Sequence, residues 1–153
     1  IINDGSKPLG TGGAVLKSLV YLKDKFFVIY GDSYLNFAIK KLKREESLAT
    51  MAIFKNNNNY DKSNVILKKK NKIIYSKKNF NINSNFIDYG VSYLNKKVFN
   101  NIKNKQFDLS ELYEKISNKD MLNGYIVKKR FYEIGSYSGI KDFRKYIKNE
   151  FHK

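Results

Sequence analysis

The apolar positions of this chain change period several times, and each change marks an element. Val15, Leu16, Leu19 and Leu22 recur at helical spacing behind Thr11, so a helix capped by Thr11 is predicted to run to about Leu22. Phe26 to Tyr30 is a continuous apolar run, the pattern of a central strand covered on both faces. Ala38, Ile39 and Leu42 give a second helix its inner side, with Asn36 as cap and Lys41, Lys43 and Arg44 facing outward. Leu48 to Phe54 returns as a strand. Strand, helix and strand in succession predict a βαβ crossover between parallel strands.

Beyond a polar loop over Asn56 to Lys62, Asn64–Leu67 and Lys72–Tyr75 read as a hairpin turning through Lys68–Asn71. Asn79 to Asn85 is a second polar loop. Phe86 to Val91 opens another strand with Gly90 inside it, a residue that marks a bulge or a close approach. Lys96 to Ile102 is predicted as a short helix. Asp108 and Glu111 have capping-box spacing for a helix through about Ile116. Strands follow at Gly124–Lys128 and Arg130–Ile134. A last helix, Ile140 to Phe151, places Ile140, Phe143, Ile147 and Phe151 on one face.

Composition narrows the chemistry. A chain of 153 residues, 42% hydrophobic and 15% aromatic, fits one domain with a substantial core. It has no cysteine and a single histidine, His152, which excludes thiolate metal sites and leaves little room for a Ser-His-Asp triad. No apolar run reaches the ~20 residues of a spanning helix, so a soluble protein is expected. The net charge of +16 suggests a nucleic-acid-binding module, but arginine occurs only at Arg44, Arg130 and Arg144. Lysine is the poorer base and phosphate reader. The joint excess of Lys, Asn, Ile and Tyr matches what AT-rich codons produce, so the lysines read as solvated faces.

Two segments carry candidate chemistry. Leu9-Gly10-Thr11-Gly12-Gly13-Ala14 is a glycine-rich loop opening a helix, where backbone can approach a ligand and unpaired N–H groups favour anions. It lacks the Gly-Lys-Ser/Thr end of a P-loop and the third glycine of a dinucleotide fingerprint. Asp32 then sits at the C-terminal end of an apolar strand, where open α/β sheets bind ligands.

The order of these segments resembles the sugar-1-phosphate nucleotidyltransferases. Leu9–Ala14 is similar to that family's second nucleotide loop, which implies backbone contacts from Leu9, Gly10, Thr11, Gly12 and Gly13 to base and ribose. Phe27–Ser33 looks like its strand ending in Gly-Asp, which implies that Asp32 serves catalysis and holds Mg²⁺. Arg130–Ser136 resembles the segment giving the second metal carboxylate, here Glu133 where many members carry Asp. Lys77 stands where a family lysine meets the sugar phosphate, and Asp88, Tyr89 and Gly90 where a sugar-facing strand occurs. Asp88 and Tyr89 are strand neighbours, so at least one faces away from any common ligand.

The resemblance implies a three-layer α/β/α, Rossmann-like domain with a mixed, mostly parallel sheet. It makes residues 1–153 the C-terminal two thirds of that domain, lacking its first strands, with the signature glycine-rich loop expected upstream of Ile1. The implied function is transfer of a nucleoside monophosphate from a nucleoside triphosphate to a sugar 1-phosphate, releasing pyrophosphate. This residue range alone is expected to be inactive. The expected setting is cytoplasmic, with no nucleic-acid or membrane partner and with homo-oligomerisation open. A catalytically silent nucleotide-binding relative is the other reading of the same residues.

Overall fold

A computed structural model describes residues 1–77 and 83–151; part of the polar segment 79–85, and His152, lie outside the described residues. The elements in chain order are α1 (Gly10–Ser18), β1 (Lys25–Ile29), β2 (Ser33–Tyr34), β3 (Ala49–Lys55), β4 (Val65–Leu67) and β5 (Ile73–Tyr75). They continue with β6 (Phe86–Asn95), α2 (Leu109–Ser117), β7 (Leu122–Val127), β8 (Tyr132–Glu133) and α3 (Tyr137–Phe151). The main sheet runs β5-β4-β6-β3-β7, with β1 also paired to β6. Strands β1, β3, β4 and β7 point one way, and β5 and β6 the other. The mixed α/β class is as expected, but the sheet is not mostly parallel. Among the described residues only its β3–β7 pairing is parallel, because β6 enters antiparallel to β1, β3 and β4.

The crossover differs in its details. β1 and β3 are parallel, but β6 lies between them and pairs antiparallel with both. Only a 3₁₀ turn, Ile39–Leu42, occupies the stretch where a helix was predicted. Asn36 caps nothing there; its side-chain amide donates to the Tyr146 hydroxyl at 2.9 Å. Phe37, Ile39 and Leu42 are too few to form a helical stripe, and instead they drop individually onto one face of the sheet. Lys96–Phe99 is likewise a 3₁₀ turn, capped by the side chain of Asn95.

Local signals elsewhere held. The β4–β5 hairpin pairs Val65 with Tyr75 and Leu67 with Ile73. The capping box at Asp108 and Glu111 forms, with Glu111 Oε1 accepting the Asp108 N–H at 3.1 Å. Strand β6 is longer than predicted, reaching Asn95. Its register with β3 jumps from Met51↔Ser92 to Ile53↔Asp88, a bulge centred on Gly90 at φ +86°.

Apolar clusters cover both faces of the sheet. On one side α1 and α2 pack Val15, Leu16, Leu109, Leu112 and Ile116 against Met51, Ile53 and Leu94. On the other, Leu42, Ala52, Tyr89 and Val127 meet Phe37, Phe54 and Phe131. Helix α3 starts at Tyr137, earlier than expected, and turns Phe143 and Tyr146 onto Tyr34 and Tyr132 of the small β2–β8 sheet. Ile140, expected on the same buried face, is 37% exposed.

Candidate functional site

The pairing of β2 with β8 sets Ser33 opposite Glu133, and the Ile134 N–H donates to the Asp32 carbonyl at 2.7 Å. Residues a hundred positions apart are thereby held side by side. A Cβ built on Gly135 would lie 2.6 Å from Glu133 Oε1 and 3.4 Å from Asp32 Oδ2, so both carboxylates border this glycine. Glu133 Oε1 accepts the Gly135 N–H, and its Oε2 accepts the Ser136 hydroxyl at 2.6 Å. Ser136 Oγ in turn accepts the Gly139 N–H at 3.1 Å, which ties Glu133 to the first turn of α3.

These carboxylates line a cavity of about 730 Å³, which also collects Thr11, Lys77, Asp88 and Gly90 of the expected site residues. Asp88 is half-buried in its wall and accepts the Gly90 N–H at 2.9 Å, while its own N–H donates to Asn64 Oδ1 at 3.0 Å. Burial pushes the Asp88 carboxyl up to about 7, against the opposing pull of the Gly90 N–H and the Lys77 charge. Behind it lies a group of tyrosines. Tyr113 hydrogen-bonds Ser92 at 2.5 Å, and burial raises the phenols of Tyr30, Tyr75 and Tyr113 well above their ordinary range.

Of the strand neighbours, Asp88 faces the cavity and Tyr89 does not. The Tyr89 ring is fully buried on the opposite face, and its hydroxyl donates to the Arg130 carbonyl at 3.1 Å. Gly90 is a bulge and a close approach at once, but the group approaching is protein: a Cβ there would overlap the Ser33 side chain. Lys77 is exposed at the cavity edge, with its backbone N–H donating to Glu114 Oε1 at 2.9 Å.

The glycine-rich loop is placed differently from the expectation. The Gly12 and Gly13 N–H groups both donate to the Phe107 carbonyl, at 3.0 and 3.1 Å. A Cβ on Gly12 would overlap the Phe107 ring, and one on Gly13 the Lys105 carbonyl oxygen. The glycines therefore let α1 pack closely on the 105–107 segment, and Leu9, Gly10, Gly12 and Gly13 do not line the cavity. Thr11 does not cap its own helix, where Leu9 is the cap residue. Its hydroxyl accepts the Leu109 N–H at 2.9 Å, closing the start of α2 from across the fold.

Sequence reasoning passed over one wall of the cavity. Arg130 lies with its guanidinium 3.7 Å from the Tyr60 ring centre and 4.7 Å from that of Tyr132, and Nη2 donates to Asp142 Oδ2 at 2.7 Å. That bond holds the Asp142 carboxyl below its usual range. The available signal was scarcity, since only three of 30 cationic residues are arginine and this one precedes Phe131–Glu133 directly.

No protein-family model matches the chain. A curated relative, the D-glycero-alpha-D-manno-heptose 1-phosphate guanylyltransferase of Campylobacter jejuni, is 27% identical over 131 residues. That match takes in 84% of this chain and 59% of the relative, so the chain spans a little under three fifths of the relative's length. HddC from Yersinia pseudotuberculosis, solved with GMP-PN, superposes with a TM-score of 0.70 at 21% identity, over 95% of this chain and 65% of that one. The inositol-1-phosphate CTP transferase of T. maritima gives 0.72 at 21% identity, over 93% and 64%. The chain is similar in sequence to a sugar-1-phosphate nucleotidyltransferase and shares the fold of such enzymes.

The carboxylate pair offers two hard oxygen donors of the kind a divalent cation takes. Neither Asp32 nor Glu133 forms an ion pair among the described residues. Nor do those residues hold any cluster of three or more Asp, Glu, His or Cys side chains suited to a metal. Two hard oxygen donors without a third match an ion that keeps water and phosphate as its other ligands. Among the described residues no helix is long and apolar enough to cross a membrane.

Proposed function

We propose that the protein carrying this chain transfers a nucleoside monophosphate from a nucleoside triphosphate to a sugar 1-phosphate in the cytoplasm, with Asp32 and Glu133 holding Mg²⁺. The observation that carries this reading is the meeting of Asp32 and Glu133 beside Gly135, in one cavity with Lys77 and Asp88. The sugar phosphate oxygen attacks the α-phosphorus, and the bond to the leaving pyrophosphate breaks in line. Such a reaction asks the protein for position and charge balance rather than covalent work. When bound, Mg²⁺ supplies neutralisation of phosphate charge.

In this reading the chain's own groups divide the task. Asp32 and Glu133 provide the anionic anchor, Glu133 being oriented by Ser136 and Gly135. Lys77, at the cavity edge, attracts and orients the acceptor phosphate. Asp88 accepts or donates a hydrogen bond to a sugar hydroxyl, which a carboxyl near 7 can do in either protonation state. Thr11 marks the wall nearest the glycine loop, where the nucleotide is assigned. The acidic lining speaks against a nucleic-acid-binding module.

Asp32→Asn tests the assignment. Mg²⁺-dependent nucleotide-sugar synthesis is expected to fall at least about a hundredfold, with thermal unfolding unchanged. Turnover close to that of the parent would contradict the metal role.

A further inference from the structure

Lys77 and Arg130 are the cations of the cavity wall, and they are held differently. Lys77 is exposed, and among the described residues only its backbone N–H is bonded, to Glu114. Arg130 is fixed: Tyr60 and Tyr132 flank its guanidinium, Asp142 takes Nη2, and its carbonyl is anchored by the buried Tyr89 hydroxyl. Its Nε is buried with no hydrogen-bond partner among the described residues.

This arrangement suits a neutral polyol better than a phosphate. The Arg130 charge is already balanced by Asp142, whereas Lys77 forms no ion pair among the described residues and keeps its charge for a phosphate. A sugar hydroxyl both donates and accepts. Two adjacent hydroxyls are therefore matched by a donor and an acceptor side by side, as the remaining guanidinium N–H groups and the Asp142 carboxylate provide. The rings of Tyr60 and Tyr132 add flat apolar surface beside them, as sugar C–H faces require. Thr11, on the wall assigned to nucleotide, joins the start of α2 instead.

We infer that Arg130 and Asp142 form a diol-reading pair that selects the acceptor sugar by its ring hydroxyls, with the 1-phosphate directed toward Lys77. The inference rests on the function proposed above and names the residues that set its acceptor.

Arg130→Lys and Asp142→Asn, made in the protein carrying this chain, are compared with the parent by ligand-observed NMR titration and by turnover. The probes are two sugar 1-phosphates that differ in one ring hydroxyl. Arg130→Lys keeps the charge but loses the planar fork. Each variant is expected to unfold at the parent's temperature and to raise the acceptor's Kd and KM about tenfold, with the nucleotide KM unchanged. Discrimination between the two epimers is expected to shrink in both variants. Epimer discrimination equal to the parent's, or a loss confined to the nucleotide, overturns the pair. A parent that turns over no sugar 1-phosphate contradicts the proposed function, while the titration still reads the pair directly. A parent that binds neither sugar overturns both.

Discussion

At Asp88 burial and charge oppose one another. Its carboxyl titrates at about 7 in the fold against 3.8 as the ordinary value. Between those two pH values the folded state holds one proton more than the unfolded state, so stability falls as pH rises through the window. Below it and above it this group contributes no slope. Asp88→Asn keeps an oxygen for the Gly90 N–H and removes the titration. Urea midpoints measured from pH 4 to pH 8 are expected to decline less in the variant than in the parent, with the variant gaining relative stability at pH 8. Parallel profiles would show that Asp88 stays ionised throughout. The neighbouring Tyr89 illustrates how one position decides a role: strand alternation sends its ring into the core and leaves Asp88 to the cavity.

Between elements, the least obvious contact is the Thr11 hydroxyl at the start of α2, a partner 98 positions along the chain. Thr11→Val keeps the shape and removes the acceptor, leaving the partly buried Leu109 N–H unpaired. A loss of about 1 kcal/mol in urea unfolding is expected; an unchanged midpoint would mean the bond contributes nothing. Local signals such as the β4–β5 hairpin and the Asp108–Glu111 box were legible because their partners lie within a few residues. The apolar run of β1 marked a strand but not its place. Expected to be central and covered on both faces, β1 pairs only with β6 among the described residues and leaves Ile29 48% exposed. What was illegible depends on distant partners. Nothing near Gly12 and Gly13 announces that Phe107 takes their N–H groups, and nothing in β1 or β3 announces β6 between them. The helix predicted after Asn36 failed for another reason: its few apolar residues are pulled singly onto the sheet by Tyr89, Val91 and Val127. Of the cavity lining, Asp32, Glu133, Lys77 and Asp88 were picked out as ordered motif positions. Arg130 and Asp142 were not, because they meet only once α3 returns beside β8.

At the scale of the whole molecule, surface and cavity have opposite character. The chain carries a net +16, yet its cavity is lined by Asp32, Asp61, Asp88, Asp108, Glu133 and Asp142 against Lys77 and Arg130. A phosphate-bearing substrate enters such a cavity only if charge is supplied there, which is why the convergence of Asp32 and Glu133 is the central claim. Groups that hold one ion together lose their effect together, so their substitutions do not add. The direct measurement is a double-mutant cycle of Mg²⁺-dependent nucleotide-sugar synthesis with Asp32→Asn, Glu133→Gln and the pair, in the protein carrying this chain. The account predicts a large loss in each single variant and a double variant scarcely worse than the poorer single. Near-parent turnover in either single variant, or losses that multiply independently, would contradict it.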